Sequence, residues 1–140
     1  MRNISVSRDE ADMVMGCMLR FRGEVAGPWS HDANYTPMDS AVRIGALITV
    51  TAIRERNERS CHHMTEDRQL QLEPGEGGML AQILHWAFSP EQIAEQIDER
   101  IDAIAREERL SNESETRDYW VERMKSSSQI ALALAQRIAD

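Results

Sequence analysis

Isoleucine recurs at positions 93, 97, 101 and 104, within the segment that runs from Ser89 to Ala105. That spacing restricts the fold more than any other feature of the chain. On a wheel of 100° per residue with Ile93 at zero, Ile104, Ile97 and Ile101 fall at about 20°, 40° and 80°. Glu91, Glu95, Asp98, Glu99 and Asp102 fall on the opposite side, between about 140° and 240°. Such a segment is an amphipathic helix with one face committed to burial. Its start is well specified. Ser89 supplies an N-cap, Pro90 takes the first helical position, and Gln92 completes a capping box.

The acidic face carries a local cost. Glu91/Glu95, Glu95/Glu99 and Asp98/Asp102 are like-charge pairs four residues apart, each unfavourable by about 0.2–0.5 kcal/mol in an isolated helix. The plainest account is a solvated outer surface. The sharper account is a surface that meets something positive.

Helical spacing also organises the rest of the chain. Ser7 and Glu10 form a capping box that opens a first helix, which runs through Ala11, Val14, Cys17, Met18 and Phe21 and should stop at Gly23. Met13, Met15 and Met18 read as core filler in preference to an adaptable binding surface. Residues 23 to 36 form a long loop, and its Trp29 and Tyr35 are candidate partner-binding anchors. Thr36 and Pro37 open a second helix. From Ala41 to Ile53 its only charge is Arg43, so it should be central and buried, with a buried strand as the alternative.

Arg68 to Glu73 alternates briefly. A lone strand has nothing to pair with unless it pairs across a dimer, so an extended loop is expected. A third helix spans about Gly78 to Phe88, with Met79, Leu80, Ile83, Leu84 and Ala87 buried. The isoleucine helix is the fourth. A fifth begins near Asn112 or Ser114 and reaches the C-terminus, with a bend expected at Ser126-Ser127-Ser128. The fourth and fifth helices, joined by a short turn, should form an antiparallel hairpin. The fold expected is all-α: a single-domain bundle of about five helices over residues 1–140, ending in that hairpin.

Charge narrows the function. The net charge is −8. Residues 1–59 hold eight arginines and eight acids, whereas residues 60–140 hold eight basic and sixteen acidic residues, so the whole imbalance lies in the second half. Nucleic acid is therefore disfavoured as a direct ligand. Two scattered cysteines make no disulfide framework. The N-terminal residues lack the apolar stretch of a secretory signal. The longest apolar run, Ile44 to Ile53, is too short to span a bilayer. A cytoplasmic protein without membrane contact is expected.

Catalytic and metal patterns are weak. Cys61-His62-His63 is the one local cluster of metal-ligand types, and neighbouring residues do not normally point at one ion. Glu73-Pro74-Gly75-Glu76-Gly77-Gly78 lacks the lysine of a phosphate-binding loop, and its glutamates repel phosphate, so it reads as the flexible start of a helix. The segment from Trp86 to Ala94 resembles the opening of helix-turn-helix units in some transposases. Here, however, the helix continues through Asp98 and Glu99, and no recognition helix follows a tight turn. No metal and no cofactor are expected.

The reading that follows is a small, acidic, non-enzymatic protein-binding module. Its partner-binding residues are Glu91, Glu95, Asp98, Glu99, Asp102, Trp29 and Tyr35, and its partner is a protein with a basic surface. One concrete form is a phage or mobile-element inhibitor that engages a nucleic-acid-binding protein. A helical ligand-binding protein or metal-dependent nucleotide hydrolase is the alternative, and a DNA-binding regulator is a third. The hairpin also offers a surface for a homodimer, which nothing in the sequence fixes.

Overall fold

The computed structural model describes residues 1–26, 37–62, 68–107 and 111–139. They form five helices and a two-stranded sheet in the order β1 (Arg2–Val6), α1 (Arg8–Ala26), α2 (Pro37–His62), β2 (Arg68–Leu72), α3 (Glu76–Ala87), α4 (Pro90–Arg106) and α5 (Glu113–Ile138).

The structure is mostly helical, as expected, and the small sheet corrects the extended loop expected at Arg68 to Glu73. β2 pairs antiparallel with β1, placing Ile4 opposite Leu70 and Val6 opposite Arg68. Alternation then sends Val6, Leu70 and Leu72 into the core, while Ser5 and Gln69 face outward and join through Gln69 Nε2 donating to Ser5 Oγ at 3.1 Å. The partner that β2 lacked in the sequence is the N-terminal pentapeptide, which alternates in the same way. The outer edge of β2 is covered by α2. Gln71 N–H donates to Asn57 Oδ1 at 2.6 Å, and Asn57 Nδ2 donates to Gln71 C=O at 3.0 Å.

The capping box of α1 forms as the sequence specifies. Glu10 N–H donates to Ser7 Oγ at 3.1 Å, and Ser7 N–H donates to Glu10 Oε1 at 2.9 Å. Gly23 does not end this helix, which runs on to Ala26. A glycine inside a helix costs only about 1 kcal/mol relative to alanine. Met15 and Met18 are buried in the core and Met13 packs against it.

α2 starts at Pro37 as expected and is a helix, not a strand. Its expected burial is only partly realised. Val50 and Ile53 are fully buried, but Val42 and Ile48 are each 65% exposed and Ile44 is exposed as well. The helix buries the side that meets α1 and β2, and its other side faces outward.

α3 begins two residues before Gly78, after Gly75 takes a left-handed conformation with φ of 86°. That φ is available to glycine without Cβ strain. Leu80, Ile83, Leu84 and Ala87 are buried and Met79 packs on the core, as expected. α3 contacts α1, α4 and α5, and α1 contacts α2, α3, α5 and β2, so these two helices hold the core together. α5 opens at Asn112, whose Oδ1 accepts from Glu115 N–H at 3.2 Å. It is one helix through Ser126-Ser127-Ser128, where Ser126 Oγ donates to the Glu122 carbonyl at 3.4 Å. Ala131, Leu134, Ala135 and Ile138 are its buried residues.

The isoleucine helix lies at the margin of this core. Ile97 and Ile101 are buried, but outside the main cluster shared by α1, α2, the sheet, α3 and α5. No helix among the described residues is long and apolar enough to cross a membrane.

Candidate functional site

Ser89 caps α4 as the sequence indicates, with Gln92 N–H donating to Ser89 Oγ at 3.3 Å. The second half of the expected capping box is not made. The Gln92 side chain is buried and accepts from Arg20 Nε at 3.0 Å, while its Nε2 lies 3.4 Å from Glu95 Oε2. A tertiary partner on α1 has taken the group that the local motif would have used.

The acidic face of α4 is divided among its neighbours. Arg20 of α1 reaches Glu99 at 3.0 Å and Glu95 at 3.8 Å. Arg117 of α5 donates to Asp98 at 2.8 Å and lies 3.6 Å from Glu113. These pairs supply what the isolated helix lacks, positive charge beside a run of like-charged residues, and they link α4 to α1 and α5. Their carboxylates remain about half-exposed, so each pair is screened by water. Glu91 and Asp102 are exposed, with no cation within ion-pairing distance among the described residues. Trp29 and Tyr35 lie outside the described residues, and the side chains of Cys61-His62-His63 do too.

At the start of α3 the Glu76 carboxylate turns back to the segment that precedes the helix. Glu76 accepts from Glu73 N–H at 2.7 Å and takes both guanidinium nitrogens of Arg56, the Nη2 contact at 3.1 Å. The Arg56 hydrogen bond holds the Glu76 carboxyl below its ordinary range, against the opposing effect of burial. This is a structural clamp between α2 and α3. Among the described residues no group of three His, Cys, Asp or Glu is placed to hold a metal ion.

A groove of about 880 Å³, which no sequence pattern announces, lies between α1, α4 and α5. α1 lines it with Asp9, Asp12, Met13, Gly16, Cys17 and Arg20, a single helical face. α4 contributes Ile97, Glu99, Arg100 and Ala103, and α5 contributes Trp120, Arg123, Met124, Ser127 and Ile130. At one end the Arg100 and Arg123 guanidiniums lie 5.1 and 5.5 Å from the Trp120 ring centroid, within cation–π range. Tyr119 meets the same ring edge-on at 5.3 Å, and its hydroxyl accepts from Arg123 at 3.1 Å. The α1 spacing was visible in the sequence. That α4 and α5 stand back from that face was not. Cys17 offers no nucleophile here, because burial pushes its thiol up to about 12 and keeps it protonated.

Comparison of the chain with protein-family models, with curated proteins and with solved structures finds no match.

Proposed function

We propose that this protein is a small acidic protein-binding module whose partner-facing surface is the outer side of α4. The observation that supports the reading is the pair of exposed carboxylates without a cation, Glu91 and Asp102, at the two ends of that surface. They are eleven residues apart, about 16 Å along the helix, with the half-exposed Glu95, Asp98 and Glu99 between them. A basic protein surface is the complementary partner, and long-range attraction would speed its approach. In its concrete form the module is an inhibitor, of the kind phages and mobile elements carry, that covers the basic surface of a nucleic-acid-binding protein in the cytoplasm. In this reading α4 and α5 act as an antiparallel hairpin, and a homodimer would form through it.

The test reverses the two unpaired acids. Glu91→Lys with Asp102→Lys leaves the Arg20 and Arg117 pairs in place. A partner captured from cell extract and identified by mass spectrometry should be retained by the native protein and released by raised salt. Retention by the double variant should fall by roughly tenfold or more. Equal retention by a variant that melts like the native protein rules the reading out.

A further inference from the structure

The groove between α1, α4 and α5 has an uneven charge pattern that selects one kind of occupant. Glu10 of α1 meets Arg137 of α5, so the start of α1 lies beside the end of α5. Arg20, further along α1, meets Glu99 of α4, the neighbour of Arg100 on the Trp120 ring. The groove therefore runs from Asp9 and Asp12, the latter 3.8 Å from Arg68 of β2, at one end to Arg100, Arg123 and Trp120 at the other. From Ile130 to Trp120 is ten residues of α5, about 15 Å.

The positive end has charge to spare. Arg20 is committed to Glu95, Glu99 and Gln92. Arg100 and Arg123 rest on an aromatic ring, with no carboxylate at ion-pairing distance among the described residues. They gather at one mouth in the half of the chain that holds twice as many acids as bases. Met13, Ile97, Met124 and Ile130 give the lining an apolar strip, beside the polar Gln96, Ser126 and Ser127. Ile130 is 42% exposed. Methionine adapts its shape to what it covers.

We propose that this groove binds an alkyl carboxylate, with its carboxylate held by Arg100 and Arg123 and its chain laid along Met13, Met124 and Ile130. The forked guanidiniums match a carboxylate in geometry. Asp9 at the far end repels the head group and sets the direction of the chain. The volume lies within the range of small-molecule sites. The site shares Glu99 with the outer face of α4, but neither Glu91 nor Asp102 lines it.

Calorimetric titration with dodecanoate tests the proposal, with dodecanol as the neutral control. Dodecanoate should bind with one-to-one stoichiometry and at least about tenfold more tightly than dodecanol, the ratio expected from charge-assisted hydrogen bonds. Arg100→Gln with Arg123→Gln should abolish that preference. Gly16 lines the groove, and a Cβ placed there meets nothing within 4 Å. Gly16→Leu therefore projects into the groove from a position whose Cβ has room, and it improves α1 as a helix. It should eliminate dodecanoate binding while the melting temperature holds or rises. Glu91→Lys with Asp102→Lys should leave binding unchanged, which separates this proposal from the reading of the α4 face. Absence of dodecanoate binding, equal affinity for dodecanol, or undiminished binding by Gly16→Leu overturns the proposal.

Discussion

Asn57 binds Gln71 through both backbone groups of that residue: it accepts from the N–H at 2.6 Å and donates to the C=O at 3.0 Å. The side-chain amide acts as one peptide unit of a missing third strand. It closes the edge of β2 that β1 leaves open, and an open edge is a template for unwanted pairing. Asn57 is fully buried, and its Nδ2 also donates to Ile53 C=O at 2.8 Å.

Asn57→Ala should therefore destabilise the fold by about 1–3 kcal/mol, because it strands the Gln71 N–H and leaves the Gln71 carbonyl to Arg56 Nη1 alone, at 3.2 Å. Asn57→Asp should be similarly costly, since it keeps the acceptor but sets a carboxylate against the Gln71 carbonyl. Urea denaturation measures both. A loss under about 0.5 kcal/mol for either variant would contradict this account of the sheet edge.

The Arg56–Glu76 clamp makes stability depend on pH in one direction. Glu76 has a folded-state pKa below its unfolded value, which lies near ~4.3. Its contribution is complete above that unfolded value and is lost as pH falls through the lower, folded one. Glu76→Gln should cost about 2 kcal/mol at neutral pH and remove this part of the acid-side decline. Denaturation midpoints for native and variant protein between neutral pH and acid should converge as pH falls. Parallel curves would exclude Glu76 as the source.

The two sides of α2 should respond differently to charge. Ile48→Glu places a carboxylate in water and should change stability by less than about 0.5 kcal/mol. Ile53→Ala empties a fully buried site and should cost about 2–4 kcal/mol. Thermal melts of the two variants give the comparison, and a large loss for Ile48→Glu would mean that this face is covered.

Cys17 should be inert in the folded protein. Its thiol is buried and held at about 12, so the reactive thiolate is scarce at neutral pH. Alkylation at Cys17, followed by peptide mass spectrometry, should be negligible in native buffer and complete in denaturant. Rapid native labelling would show that the groove-side packing opens readily.

The helices could be read from the chain because their signals are local. Ser7 and Glu10 are three residues apart, Ser89 caps a nitrogen three residues on, and the burial of Ile97 and Ile101 follows from a four-residue repeat. Turn hydrogen bonds and periodic burial depend on neighbours within about one helical turn, so sequence alone determines them. The same rules placed five acids on one face of α4.

Tertiary structure decided what those faces meet. The sheet joins residues more than sixty positions apart, and no local pattern names the partner of Leu70 as Ile4. The apolar run of α2 could not show which side would be left outside, because that depends on where α1 and β2 come to rest. Gln92 left its expected cap for Arg20, and the Arg100–Trp120–Arg123 cluster forms only where α4 meets α5. The isoleucine helix is the clearest word in the sequence, yet it sits at the edge of a core shared by α1, α2, the sheet, α3 and α5. Periodicity specifies that a face must be buried. The closing of distant segments on one another, at a cost in loop entropy that local spacing does not record, specifies against what.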